Sequence, residues 1–285
     1  MPHAPNHLIN ADYLDAVPAH TIEARRSDHS RELRQAQYLV RRKQDGRYLG
    51  LIGRWMGRLQ FRPWQAGSCS PQQIDPLLSM LGLRRSGALH PRRPTHLTQL
   101  PNWQLALPGI GCVMLDWLDR LSAMGIDAVA YSETTGLPWQ FEPPTLRYAG
   151  RDRYLRPLWL IDSAAKAWHG LRGAAAADGI VLEAISGFRG YAYQYGIFQR
   201  KQAQGQSVEQ ILGVNAAPGF SEHHTGRALD ISCPGEPPAE ESFEATEAFA
   251  WLCQHAPQFG FYLSYPRDNP HGICYEPWHW CWHGG

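Results

Sequence analysis

The sequence has no long apolar run and almost no net charge. None of its 285 residues belongs to an uninterrupted stretch of the ~18 apolar residues that a membrane-spanning helix needs, so we expect no membrane span. A formal net charge of +1 gives no reason to expect binding to nucleic acid or to an anionic membrane surface. The N-terminus lacks a basic region followed by an apolar run, so no secretory signal is visible and a cytoplasmic location is expected by default.

Closely spaced cysteine pairs are also missing. No two cysteines form a Cys-x-x-Cys pair, which argues against a cysteine-rich zinc site and against a disulfide framework. One or two disulfides stay open, with Cys274 and Cys281 as the candidates. The six cysteines are Cys69, Cys112, Cys233, Cys253, Cys274 and Cys281.

The chain is long enough for one large domain or two medium ones. Prolines near residue 140 favour a boundary at residues 145–155, which predicts an N-terminal domain over residues 1–150, of unknown role, and a second domain over residues 151–285. The first 30 residues are polar and show no period, so we expect a flexible lead-in. The short apolar run at 127–131 predicts a buried strand.

Before the expected boundary, the apolar runs from residue 38 to 61 predict strands and turns, and the spacing from 114 to 124 predicts a helix. In the second half, Pro157 and the apolar spacing after it predict a helix start. Helices are also predicted at 191–203 and 244–255, and strands at 228–232 and 273–282. This unequal grouping predicts an α+β fold, with an antiparallel sheet flanked by helices after residue 150 and a domain of uncertain α/β type before it.

Two histidines and an aspartate carry the strongest chemical signal. His223 and Asp230 lie in the segment Ser-Glu-His-His-Thr-Gly-Arg-Ala-Leu-Asp, and His279 lies in Tyr-Glu-Pro-Trp-His-Trp near the end of the chain. Catalytic zinc is held by three such ligands and keeps a fourth position open for water. Gly226 allows the chain to turn between the first ligand and the strand that presents Asp230. We therefore expect a Zn²⁺ site.

Glu276 and Arg189 are the candidate catalytic residues. Glu276 lies three residues before His279, a spacing that puts the two side chains on opposite faces of a regular strand. A bulge at Pro277 would bring the carboxylate towards the metal, where it acts as a general base. Arg189 follows a predicted buried strand, where its guanidinium can hold a carboxylate or an oxyanion.

These segments resemble the VanY-type zinc D-alanyl-D-alanine carboxypeptidases. Similarity of order and spacing runs over about residues 153–282, and includes Ser-Gly-Phe-Arg at 186–189 with Gln194 downstream. Phe188 stands where the family usually has Tyr, and Gly190 where it usually has Ser. Residues 1–150 resemble no family that we can name.

The resemblance implies a complete set of roles. His223, Asp230 and His279 would bind zinc, Glu276 would be the general base, and Arg189 would contact the substrate and steady the tetrahedral intermediate. Gln194 and Ser221 would line the substrate site. The implied substrates are peptidoglycan stem peptides or related peptides that end in D-alanine, cleaved by a single attack of water. A periplasmic or cell-wall location would suit such substrates.

Two other functions stay open from the sequence. The first is a binding module of the same fold that keeps zinc for structure alone, with His224 or Cys281 as a fourth ligand that would close the site. The second is a metal amidase or endopeptidase that acts on a different substrate. An intact Glu276 favours catalysis over the first of these, because a structural metal needs no base.

Overall fold

The computed structural model describes residues 5–23, 33–83 and 111–284. The strands in these ranges are β1 His7–Asn10, β2 Leu14–Pro18, β3 Ala36–Arg42, β4 Tyr48–Trp55, β5 Arg58–Pro63, β6 Thr145–Arg151, β7 Pro157–Leu160, β8 Glu183–Ser186, β9 Ala228–Ser232, β10 Phe261–Leu263 and β11 His279–Trp282. The α-helices are α1 Pro71–Met80, α2 Gly111–Ala123, α3 Ala128–Thr135, α4 Asp162–Ala177, α5 Tyr191–Ala203, α6 Val208–Leu212 and α7 Glu247–His255. Short 3-10 turns include Glu222–Thr225.

The first seven strands form one antiparallel sheet in the order β5-β4-β3-β2-β1-β6-β7. Strands β1 and β2 lie within residues 1–30, where a flexible lead-in was expected. That prediction was wrong for the described part of these residues. Leu8 and Leu14 are fully buried there, and α1 packs its Leu77 into the same core as Leu14. The period was missed because these strands are only four and five residues long.

The last four strands form a second antiparallel sheet in the order β10-β11-β9-β8. Helices α4 and α7 contribute Trp168 and Leu252 to the core that covers it, together with Leu229 of the central strand β9. The predicted α+β class is therefore confirmed.

Contacts cross the expected boundary near residue 150 at two places. Strand β6 pairs with β7, with Arg147 opposite Leu160, so residues after 150 extend the first sheet. A separate core cluster packs Trp117 and Trp139 against Tyr191, at the start of α5. The division into domains at 1–150 and 151–285 stays a prediction, and the two parts share both a sheet and a core.

Two local predictions were wrong in an instructive way. Residues 128–135 form helix α3, because the Asp127 side chain caps it by accepting hydrogen bonds from Val129 N at 2.9 Å and Ala130 N at 3.1 Å. Pro157 begins strand β7, and the helix starts only at Asp162. Short apolar runs do not distinguish a buried strand from a helix.

The remaining observations concern one helix, the cysteines and membrane spans. Helix α5 has the predicted bounds. Ser207 and Gln210 form a capping box at the start of α6. Cys274 and Cys281 are both free, so neither forms a disulfide. No helix among the described residues has the length and apolar character that a membrane crossing requires.

Candidate active site

The pairing of β9 with β11 brings two of the candidate ligands together. His279 is the direct cross-strand partner of Asp230 in this antiparallel pair. Directly opposed residues on one face of a sheet have Cβ atoms about 4.5–5.5 Å apart, which is within reach of a shared ligand. Both side chains are buried.

The third candidate, His223, lies in the 3-10 turn that precedes β9. This turn ends at Gly226, which has a φ of 67°. A Cβ at Gly226 would lie 2.5 Å from Leu146 Cδ2 and 3.2 Å from Ile161 N. Both the left-handed backbone and the close approach require glycine, as the sequence predicted. The sharp turn points the buried His223 back towards Asp230.

The three side chains have the spacing that a tetrahedral metal site needs. Asp230 Oδ1 lies 3.2 Å from His223 Nε2 and 3.3 Å from His279 Nδ1. Zinc–ligand bonds of about 2.0–2.1 Å in a tetrahedron place neighbouring ligand atoms about 3.3 Å apart. All three ligand atoms lie within 4.8 Å of one another. The residues present therefore fit a zinc ion.

The other ring nitrogen of each histidine is held by a protein acceptor. His223 Nδ1 donates to the Gly187 carbonyl at 2.7 Å, which leaves Nε2 free for a metal. His279 Nε2 lies 2.9 Å from Glu222 Oε2, so its Nδ1 is directed at the shared point. Such partners orient metal-binding histidines and tune their basicity.

The charges around the shared point favour a cation. Burial and the nearby Arg189 lower the pKa of His223 to about 4, so this ring is neutral at neutral pH. Burial alone would lower the pKa of His279, but hydrogen bonds to Asp230 and Glu222 raise it to about 10. The His279 ring is therefore a positively charged imidazolium at neutral pH in the metal-free protein. A divalent cation would displace the Nδ1 proton and take the place of its positive charge.

Glu276 reaches the site by a turn and not by the predicted strand bulge. Strand β11 begins only at His279, and the His279 N–H donates to the Glu276 carbonyl at 3.1 Å. This is a β-turn with Pro277 at its second position, which proline favours. The turn places Glu276 Oε2 3.7 Å from His279 Nδ1. The prediction of a strand over residues 273–282 was wrong for its first six residues.

Arg189 lies next to Asp230 in the same cleft. Its Nη1 is 3.6 Å from Asp230 Oδ2, and its Nε is buried without a hydrogen-bond partner among the described residues. Buried donors in proteins are nearly always paired, so an unpaired one in a cleft points to a group that arrives with a ligand.

An open cleft with a cavity volume of about 310 Å³ adjoins the three candidate ligand residues, and Gln194, Ser221 and Lys201 also line it. The Gln194 side chain donates to the Ala216 carbonyl at 2.9 Å, while its Oε1 is buried without a partner among the described residues. Ser221 makes no side-chain cap to the turn that follows it. The structure thus brings every predicted site residue to one cleft.

Neither predicted fourth ligand belongs to the metal group. His224 uses both ring nitrogens elsewhere, since Nε2 accepts from Gly219 N at 3.0 Å and Nδ1 lies 2.5 Å from the Arg189 carbonyl. Cys281 falls in a neighbouring group with Glu222 and His283, and the carboxylate of that group already serves His279. Among the described residues, the group around Asp230 has three members, which leaves a coordination position open.

Sequence reasoning missed Glu222 and Lys201. Glu222 precedes His223 directly, where it reads as an exposed carboxylate, and only the return of β11 places His279 against it. Lys201 lies on the last turn of α5 and interacts electrostatically with Glu276. No local sequence signal marks either residue.

Three buried side chains that could bind one metal ion, a nearby carboxylate and an open cleft are the arrangement typical of mononuclear metal-dependent hydrolases. Residues 158–285 match the family model described as VanY, D-alanyl-D-alanine carboxypeptidase. Residues 158–285, a little under half of the chain, are therefore a VanY-type region.

Several known proteins are similar to this chain. A D-alanyl-D-alanine carboxypeptidase of Enterococcus faecalis is 32% identical over 117 residues, which are 38% of this chain and 42% of the relative. The solved LdcB LD-carboxypeptidase is 30% identical, with a TM-score of 0.47, over 52% of this chain and 72% of that one. A solved VanY D,D-pentapeptidase in complex with Zn(II) is 29% identical, with a TM-score of 0.38, over 45% and 74%. The chain spans about half the length of the curated relatives it matches.

Replacing Glu222 by Gln is expected to weaken zinc binding by about 10–100-fold, because His279 would lose its charged hydrogen-bond partner while the side-chain size is kept. Competition with a chromogenic chelator measures the affinity. Glu241→Gln is a matched control, since Glu241 is an exposed carboxylate paired with Arg267 at 3.6 Å. Equal zinc affinity of the two variants would contradict the role of Glu222.

Proposed function

We propose that this protein is a zinc-dependent carboxypeptidase that hydrolyses the terminal peptide bond of peptides ending in D-alanine, as in peptidoglycan stems. One observation carries the proposal. His223, Asp230 and His279 point three ligand atoms at one position, next to a carboxylate that is not a ligand. A metal with three protein ligands and a neighbouring base is the arrangement that water-activating zinc enzymes use.

A zinc ion in this position would act as a Lewis acid and would lower the pKa of a water molecule bound to it. Glu276 would take the proton from that water and pass it to the leaving amine. In the metal-free protein, burial is the main cause that raises the pKa of Glu276, to about 7. Glu276 is thus suited to both accept and return a proton near neutral pH.

The unpaired polar atoms of the cleft define complementary groups on the substrate. Arg189 Nε is a buried donor without a partner among the described residues, and it suits the carbonyl oxygen of the scissile bond, where negative charge develops. Gln194 Oε1 is a buried acceptor that also has no hydrogen-bond partner among the described residues, and it suits a peptide N–H of the substrate. Lys201 adds a second cation to the cleft, which favours a substrate with a free carboxylate.

The names of the relatives support a substrate with a D-alanyl terminus, and they also differ in bond type. The Enterococcus faecalis relative is named a D-alanyl-D-alanine carboxypeptidase, whereas LdcB is named an LD-carboxypeptidase. The ligand residues alone do not separate these activities, because they act on the peptide bond and not on its flanking centres. The bond that is cleaved must therefore be found with defined peptides.

The test uses the zinc-loaded full chain and a panel of synthetic peptides read by mass spectrometry. The panel contains a peptide ending in D-Ala-D-Ala, a peptide in which D-Ala follows an L-residue, the free dipeptide, and a matched peptide ending in L-Ala. We expect release of the terminal D-alanine from at least one of the first two peptides and no release of the terminal L-alanine from the last.

The amidated form of the cleaved peptide tests whether a free carboxylate is needed. Equal cleavage of the amide would favour an endopeptidase or amidase activity. No cleavage of any D-alanyl peptide, with one zinc bound per chain, would contradict the proposal.

A further inference from the structure

Helix α5 begins directly after Arg189, and its N-cap residue has no side chain. Gly190 occupies the N-cap position, and no side-chain cap is present. The first N–H groups of a helix have no partner inside the helix and need other acceptors. The Gly190 carbonyl serves Tyr193 N and Gln194 N at 3.0 and 3.1 Å. The Tyr191 N–H of this turn donates to Glu142 Oε1 at 2.5 Å.

Glu142 is held in place by residues from the first sheet. Lys43, which follows β3, forms an ion pair with its Oε2, and Asn10 of β1 donates to the same atom from 3.0 Å. The side chains of Lys43 and Glu142 are only 7% and 9% exposed. Burial alone would raise the pKa of Glu142, but attraction to Lys43 outweighs it and lowers the pKa below its usual value. An ionised carboxylate therefore faces the positive end of α5.

The space at Gly190 is too tight for a side chain unless Glu142 or Lys43 shifts. A Cβ at Gly190 would lie 3.1 Å from Glu142 Oε1 and 3.2 Å from Lys43 Cε. Serine is a strongly preferred N-cap residue, but at position 190 its side chain would press against the ion pair and force Glu142 or Lys43 to move by a few tenths of an ångström. We therefore expect the Glu142 carboxylate and a side chain at position 190 to compete for the same space at the start of α5.

The capped end of α5 carries two cleft residues. Arg189 precedes the cap directly, and its carbonyl lies 2.5 Å from His224 Nδ1. Gln194 lies in the first turn of the helix and lines the cleft. A displacement of this turn would move both side chains relative to the metal ligands. Misplacement of substrate-contacting groups by about 1 Å can cost about 10²-fold in rate.

We propose that Glu142 and Lys43 form a positioning pair, by which the part of the chain before residue 150 caps the active-site helix and sets the positions of Arg189 and Gln194. This inference rests on the proposed function for its effect on catalysis. The capping itself is a structural statement that can be tested without any substrate. It gives a role to part of the chain that lies outside the matched family region.

The test is a double-mutant cycle of Glu142→Ala and Gly190→Ser in the zinc-loaded full chain. Hydrogen–deuterium exchange of the peptide covering the first turn of α5 is measured for each protein. We expect Glu142→Ala to speed exchange in this turn by roughly tenfold, because that is the size of the effect expected when a helix loses one cap. Gly190→Ser alone should also speed exchange, because its side chain meets Glu142 and Lys43. The double variant should exchange more slowly than either single variant, because the introduced hydroxyl then has room to accept from the backbone N–H of residues 192 or 193.

Steady-state kinetics give the second readout. With the peptide that wild type cleaves, Glu142→Ala should lower kcat/KM with bound zinc unchanged, and Gly190→Ser should restore part of the loss. If no peptide is cleaved by wild type, the proposed function fails while the exchange data still decide the capping. If Glu142→Ala does not fold, Glu142→Gln is measured as a single variant instead, and its neutral amide, a weaker acceptor, should still speed exchange in the first turn of α5, by less than Glu142→Ala would.

Asp15→Asn is the matched control. Asp15 pairs with Arg41 at 2.6 Å within the same sheet, and its side chain is only 2% exposed. This variant should lower the unfolding temperature without changing exchange in the first turn of α5. The inference is overturned if Glu142→Ala leaves that exchange unchanged, if Asp15→Asn speeds it equally, or if the double variant exchanges as fast as the sum of the single changes predicts.

Discussion

Replacing Glu276 by Gln is expected to lower turnover by about 10²–10⁴-fold while the protein keeps its zinc. Glu276 Oε2 lies 3.7 Å from His279 Nδ1, yet Glu276 is not a member of the three-residue metal group. The amide has nearly the same shape but cannot take a proton from water. The change should therefore remove proton transfer and leave the metal ligands in place. Turnover of the D-alanyl peptide and zinc content by elemental analysis are measured on the same sample.

Glu244→Gln is the matched control, because it replaces a carboxylate by an amide outside the cleft. Glu244 accepts from Arg267 at 2.7 Å on the surface and does not line the cleft. Its replacement should leave both turnover and zinc content at the wild-type level. Full activity of Glu276→Gln would show that another group accepts the proton.

Replacing His223 by Ala is expected to remove both zinc and activity. His223 is fully buried, and its Nε2 lies 3.2 Å from Asp230 Oδ1. Without it, only two ligands remain for a metal that needs three from the protein. The loss of affinity should exceed the 10–100-fold expected for Glu222→Gln, because a direct ligand is removed and not an orienting partner. Zinc per chain after dialysis against a weak chelator gives the measurement.

His255→Ala is the matched control for this change. His255 stacks on Trp251 with ring centroids 4.6 Å apart, within α7 and outside the cleft. It should keep about one zinc per chain and full activity. Retention of a full zinc complement by His223→Ala would show that the metal is held elsewhere.

Long periodic segments were predictable from the sequence, and short ones were not. Helix α5 has the predicted bounds because 13 residues give its pattern several turns in which to repeat. Residues 127–131 were wrongly expected to form a strand, since five residues are too few to separate the two periods. The Asp127 cap that decides for a helix is visible in the sequence, but its two hydrogen bonds are properties of the folded turn.

The same distinction applies to the site. The sequence predicted His223, Asp230, His279, Glu276 and Arg189 because their types and spacing match zinc chemistry. It predicted a bulge for Glu276, whereas a β-turn through Pro277 brings the carboxylate to the metal group. A bulge and a β-turn would each turn the Glu276 side chain towards the face of the sheet that carries His279. The spacing of the two residues in the sequence does not distinguish between these two structures.

By itself, the sequence determined which donor atoms are available, where Gly226 lets the chain turn, and which family the chain resembles. Only the tertiary structure decided that His279 lies opposite Asp230, that Glu222 holds the far side of the His279 ring, and that Glu142 caps the helix after Arg189. The reason is physical. Each of these contacts joins residues 49 or more positions apart, and their closeness depends on strand register and core packing, which no local pattern encodes.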